Sequence, residues 1–101
     1  MRPSESLRLH MIDVREIFRN AEKRYGIINP RLIGSVRRGD DTESSDIDIV
    51  VQFKDTHPAT VNRIKVAGEL YSLLGCYVQV IDEAALPIEF AEELQKSIPL
   101  L

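Results

Sequence analysis

Residues Gly34–Val51, GSVRRGDDTESSDIDIVV, join a glycine–serine turn to a β-branched, alternating run. Successive side chains of a strand point to opposite faces, so Asp46 and Asp48 share one face with their Cα atoms about 6.6 Å apart, while Ile47, Ile49 and Val51 take the other. Neighbouring carboxylates raise each other's pKa, and such a pair calls for a cation between them. Hard oxygen donors with few other protein ligands suit Mg²⁺, which completes its shell with water and nucleotide phosphates. Gly34 and Ser35 stand where a strand gives way to a tight turn, a place where backbone can approach a phosphate closely. Arg37 and Arg38 add positive charge to the same loop. A phosphate cradle joined to a carboxylate pair is the layout of phosphoryl or nucleotidyl transfer. The same letters also read as a solvated turn whose aspartate only starts a strand. A calcium loop running from Asp40 fails, because its sixth position is Ser45 instead of glycine and its twelfth is Val51 instead of glutamate.

Upstream, Leu7, Met11, Val14, Phe18, Ala21 and Tyr25 recur at helical spacing. They predict one amphipathic helix, capped at Ser4 or Ser6 and ended by Gly26. Arg31–Ile33, after Pro30, reads as a brief strand. Asp46–Phe53 reads as a second strand. A helix over Ala59–Leu74 follows, with Pro58 in its first turn and Val61, Ile64, Ala67, Gly68, Tyr71 and Leu74 as its inner face. Cys76–Ile81 reads as a strand buried on both sides, and a last helix over Ile88–Lys96 places Glu89, Glu92 and Glu93 in water. The apolar tail Ile98–Leu101 either packs back on the domain, the favoured reading, or joins an interface. Tyr25 and Tyr71 read as core. The expected fold class is α/β (α+β), a small mixed sheet flanked by helices.

The chain has 101 residues, 44% hydrophobic and 29% charged, enough for one compact domain spanning residues 1–101. Its net charge of −3 disfavours stable DNA or RNA binding. The one cysteine, Cys76, reads as a buried small hydrophobe. With no signal-like N-terminus and no long apolar run, the expectation is a reducing cytoplasmic setting without a membrane span. His10 and His57 lack companion ligands for zinc.

Taken together, Gly34-Ser35, ten intervening residues and Asp46-Ile47-Asp48-Ile49 resemble the signature of the minimal nucleotidyltransferases of the DNA polymerase beta-like superfamily. That family includes the MNT antitoxin partners of HEPN toxins. The resemblance extends from about residue 5 to residue 100, including Arg38-Gly39 and the order of elements after the motif. It implies that Gly34 and Ser35 bind a nucleoside triphosphate, that Arg38 touches phosphate, and that Asp46 and Asp48 hold Mg²⁺ and serve catalysis. It also implies ATP as ligand or substrate and a HEPN toxin as partner, neutralised by complex formation and by AMP transfer to a toxin tyrosine. A stand-alone transferase acting on a small molecule or another protein is the alternative, and homo-oligomerisation stays open. Members of the family carry a third carboxylate on a neighbouring strand, and the matching position here is Gln79. A neutral amide cannot act as a base. Asp82 lies three residues further on and faces the other way. Nucleotide binding is therefore expected to survive better than transfer.

Overall fold

The computed structural model describes residues 1–54 and 59–101. Expectations attached to His57 and Pro58 fall outside these residues. Helices α1 (Pro3–Leu9) and α2 (Met11–Tyr25) lead into strand β1 (Ile27–Ile33), the short helix α3 (Gly34–Arg38) and strand β2 (Ile47–Phe53). Helix α4 (Ala59–Leu74) and strand β3 (Val78–Asp82) follow. Two 3₁₀ turns, Glu83–Ala85 and Ile88–Phe90, then lead into helix α5 (Ala91–Gln95) and the two-residue strand β4 (Ile98–Pro99). The sheet runs β3-β2-β1-β4. β1 is antiparallel to both its neighbours, and β2 is parallel to β3. A parallel pair needs a crossover, and α4 supplies it. The expected mixed sheet with flanking helices is what forms.

Alternation along the strands divides the sheet into two chemically different faces. Ile47, Ile49, Val51, Val78, Val80 and Leu32 meet Val14, Phe18 and Ala21 of α2 and Val66 and Leu70 of α4 in one buried cluster. Asp48, Gln79 and Ile81 belong to the opposite face.

Several sequence expectations change in the tertiary structure. The first helix is two. His10 leaves helical geometry at φ −111°, ψ 19°, because α1 is tied elsewhere: the Ser6 hydroxyl donates to the Leu74 carbonyl at 2.7 Å and the Ser4 N–H donates to Asp41 at 2.9 Å. Neither serine caps the helix, whose N-cap residue is Arg2. Gly26, at φ 66°, does end α2. β1 begins earlier than Pro30 suggested, since its register slips between Ile28 and Arg31 and Asn29 takes φ 53°. A bulge accommodates a residue that cannot donate to the ladder.

α4 has the expected bounds and a different inner face. Asn62, Val66, Leu70 and Leu74 are buried, while Val61, Ile64 and Tyr71 are exposed. The helix is apolar on two sides, and packing against α2 and β3 selects one of them. Tyr71 lies outside the core, with its ring 5.3 Å from that of Tyr77. β3 is an edge strand covered on one side only, so it alternates buried Val78 and Val80 with exposed Gln79. The tail packs back: Leu100 is buried in the core and its N–H donates to the Pro30 carbonyl at 2.9 Å. No helix among the described residues is long and apolar enough to cross a membrane.

Candidate functional site

The site grows from the junction of β1 with α3. β1 ends at Ile33, which pairs with Asp48 of β2, and Asp48 pairs in turn with Gln79 of β3. Residues paired across a sheet share a face, so Asp48 and Gln79 project side by side. The next residue, Gly34, has φ +80°, and a Cβ built on it would stand 2.6 Å from Asp48 Oδ2. Glycine is required here twice over: by the left-handed backbone, and by a carboxylate packed directly against the Cα. Ser35 and Val36 continue into α3, which ends in a left-handed Gly39 at φ 84°.

Above this floor lies a cavity of about 440 Å³ lined by Ile33, Gly34, Asp48, Gln79, Phe90 and Glu93, among others. Of the five residues singled out from the sequence, Gly34 and Asp48 line it. Ser35, Arg38 and Asp46 stand outside its wall. Asp46 is exposed, one residue before β2 begins. It is still close enough to act on its neighbour. Burial, the Asp46 charge and the Glu93 charge together push the Asp48 carboxyl above its ordinary value, and only Arg38 pulls the other way.

A half-buried carboxylate with a second one beside it suits a hard divalent cation such as Mg²⁺ whose remaining ligands are phosphate and water. Three acidic, histidine or cysteine side chains arranged to enclose a metal are not found among the described residues. The side chain in register with Asp48 is the neutral amide of Gln79, in the place where the resemblance implies a third carboxylate. Asp82 does not fill that place. Its carboxylate accepts from the Ala84 N–H at 3.0 Å and caps the first 3₁₀ turn.

Two residues with definite roles in the geometry escaped the sequence reading. Glu93, expected in water, turns inward and pairs with both Arg37, at 3.3 Å, and Arg38. Its partners lie 56 and 55 residues away along the chain, which no periodicity could announce. Arg38 is also held by Asp40 at 3.3 Å. Asp41, in the middle of the polar loop, is buried. Its burial raises the carboxyl pKa, but the Ser4 hydrogen bonds, with Arg2 nearby, reverse this and leave it below its ordinary value. A partial signal existed for Asp41 only, since a helix that starts at Pro3 needs an acceptor for its free N–H groups. Cys76, expected to be buried, is only partly so, and burial with the Asp46 and Asp41 charges pushes its thiol up.

A fold with a glycine-backed aspartate at the β1–α3 junction and a parallel β2–β3 pair beneath it defines a nucleotidyltransferase-type domain. The model of the nucleotidyltransferase domain family matches residues 13–100, and the chain belongs to that family. It is similar to protein adenylyltransferase MntA of Thermococcus cleftensis, with 29% identity over 76 residues covering 75% of this chain and 76% of the relative. A solved structure described as a "putative minimal nucleotidyltransferase" superposes with a TM-score of 0.75 at 30% identity, covering 95% of this chain and 94% of that one. The fold is also shared, with a TM-score of 0.67 at 21% identity, by a chain in the complex of tri-AMPylated Shewanella oneidensis HEPN toxin with MNT antitoxin, over 93% of this chain and 71% of that one.

Proposed function

We propose that this chain is a nucleotidyltransferase-fold antitoxin that binds ATP with Mg²⁺ and neutralises a HEPN ribonuclease toxin, by forming a complex and by transferring AMP to a toxin tyrosine where the site is competent. The observation that carries the reading is the row Gly34–Asp48–Gln79: a carboxylate packed on a glycine at the wall of a cavity, with an amide in register beside it. Further support comes from the relative named a protein adenylyltransferase and from the shared fold with a chain in an AMPylated toxin–antitoxin complex.

In this reading Gly34 and Ser35 receive the triphosphate and Arg38 contacts its oxygens. Asp46 and Asp48 hold Mg²⁺, which when bound offsets phosphate charge. The acceptor comes from the partner. A tyrosine oxygen bonds to the α-phosphorus, the bridging bond to the β-phosphate breaks, pyrophosphate leaves, and the phenolic proton passes to water. Gln79 has no charge with which to draw that proton, so transfer is slow while binding persists. Co-expression with a HEPN partner, followed by intact mass of that partner, tests both halves. A stable complex with little or no added AMP is expected. Robust labelling overturns the weakened-transfer part, and failure to form any complex overturns the antitoxin assignment in favour of a stand-alone transferase.

A further inference from the structure

The loop arginines best placed to receive phosphate are already occupied. Glu93 brings one carboxylate to both guanidinium groups, contacting Arg37 at 3.3 Å and Arg38 as well. Arg37 and Arg38 follow Gly34 and Ser35 within one short helix, and Glu93 lines the same cavity as Gly34 and Asp48. With Glu93 and Asp40 set against the two arginines, that cluster carries no net charge. Asp46 and Asp48 then leave the site negative, the wrong sign for a polyphosphate.

The element carrying Glu93 is attached thinly. Neither 3₁₀ turn has a buried residue, and α5 has none. The segment Glu83–Gln95 is anchored at its start by the Asp82 cap and by Gln52, whose side-chain amide donates to Glu83 at 2.9 Å. Just beyond its end, Ser97 is held by Arg31 at 2.6 Å, and between these anchors it meets the loop through Glu93. A segment with little buried apolar surface opens at low cost.

We propose that Glu93 is an internal stand-in for phosphate, a latch that closes the segment 83–95 over the site and that an incoming triphosphate must displace from Arg37 and Arg38. The proposal rests on the nucleotide-binding reading above. A ligand that binds only the unlatched state has its apparent affinity reduced by the fraction of molecules unlatched, so removing the latch should tighten binding. Titration calorimetry of ATP with Mg²⁺ into the full chain should show Glu93→Gln binding about five- to tenfold tighter than wild type. Glu92→Gln, which removes the same charge from the exposed side of α5, should stay within about twofold. Hydrogen exchange supplies a second readout: amides in 83–95 should exchange faster in Glu93→Gln without ligand, and faster in wild type once ATP is bound. Equal or weaker binding by Glu93→Gln, or slower exchange of 83–95 on ATP binding in wild type, overturns the latch while leaving the nucleotide reading intact. If neither protein binds ATP with Mg²⁺, the nucleotide reading falls and the latch falls with it.

Discussion

Asp41 and Asp48 stand seven residues apart in one acidic stretch, and the structure gives them opposite circumstances. Asp41 is buried, accepts a hydrogen bond from the Ser4 N–H at 2.9 Å and titrates below its ordinary value. Asp48 is half-buried, packed on the Gly34 Cα and titrates above its ordinary value because burial, Asp46 and Glu93 all oppose its charge. A carboxylate whose charge is favoured by its surroundings holds the fold together. One whose charge is opposed costs stability and is ready for a cation. The contrast separates an aspartate whose charge the fold favours from one whose charge it opposes, without any difference in residue type, and the second is the one that the proposed function assigns to Mg²⁺.

Substitutions test that contrast from both sides. The largest expected effect is on ligand binding: Asp48→Ala should weaken Mg²⁺-dependent ATP binding by about 100-fold or more, since truncating one partner of a charged contact costs about 2–5 kcal/mol. Calorimetry with and without Mg²⁺ checks this, and an unchanged affinity would remove Asp48 from the site. Next, Asp41→Ala should destabilise the fold by about 2 kcal/mol, the order expected when the Ser4 N–H in the first turn of a helix loses its acceptor. A denaturant midpoint equal to that of wild type would make Asp41 a bystander. Gly34→Ala should cost about 1–2 kcal/mol for its left-handed backbone and weaken ATP binding as well, because the Asp48 carboxylate must move aside.

Smaller effects are expected from removing the unfavourable charge. Asp48→Asn should stabilise the fold at neutral pH, by less than about 1 kcal/mol because solvent screens a half-exposed group, and so raise the thermal midpoint slightly. A lower midpoint would mean that the charge is favoured and the contrast is wrong. The pH dependence completes the comparison, with opposite signs for the two groups. The folded pKa of Asp48 is raised, so its cost is absent below the unfolded value, sets in as pH climbs towards the folded value and is complete above it. The gain in Asp48→Asn should therefore fade on acidification just above the ordinary carboxylate pKa. The folded pKa of Asp41 is depressed, so its contribution is present above the unfolded value and is lost as pH falls through the folded one. The deficit of Asp41→Ala should close only below the ordinary carboxylate pKa. Thermal melts of both variants and wild type across the acid range read the two windows directly.

The legible parts of this molecule were local. The Asp46–Phe53 alternation predicts a strand to within one residue of β2, and the bounds of α4 match completely, because strand and helix periods are properties of a continuous run. The motif placed Gly34 and Asp48 in one site, and the structure brings them into contact. Faces were less legible. α4 is apolar on two sides, so spacing alone selected Val61, Ile64 and Tyr71, and the sheet selected Val66 and Leu70 instead. The single helix expected before Gly26 broke at His10 because its first turns are tied to Asp41 and Leu74, contacts that local spacing does not encode.

Composition and pattern by themselves determined the class of fold, the Gly34-Ser35 and Asp46-Ile47-Asp48 motif and the neutral amide at position 79, since each is a property of residue identity along the chain. Only the tertiary structure decided that Asp41 is buried and its neighbour Asp40 exposed, that Gln79 stands in register with Asp48, and that Glu93 reaches across to Arg37 and Arg38. The physical reason is the same in each case: the energy of a charge depends on what surrounds it in space, and its decisive neighbours here are remote in the chain.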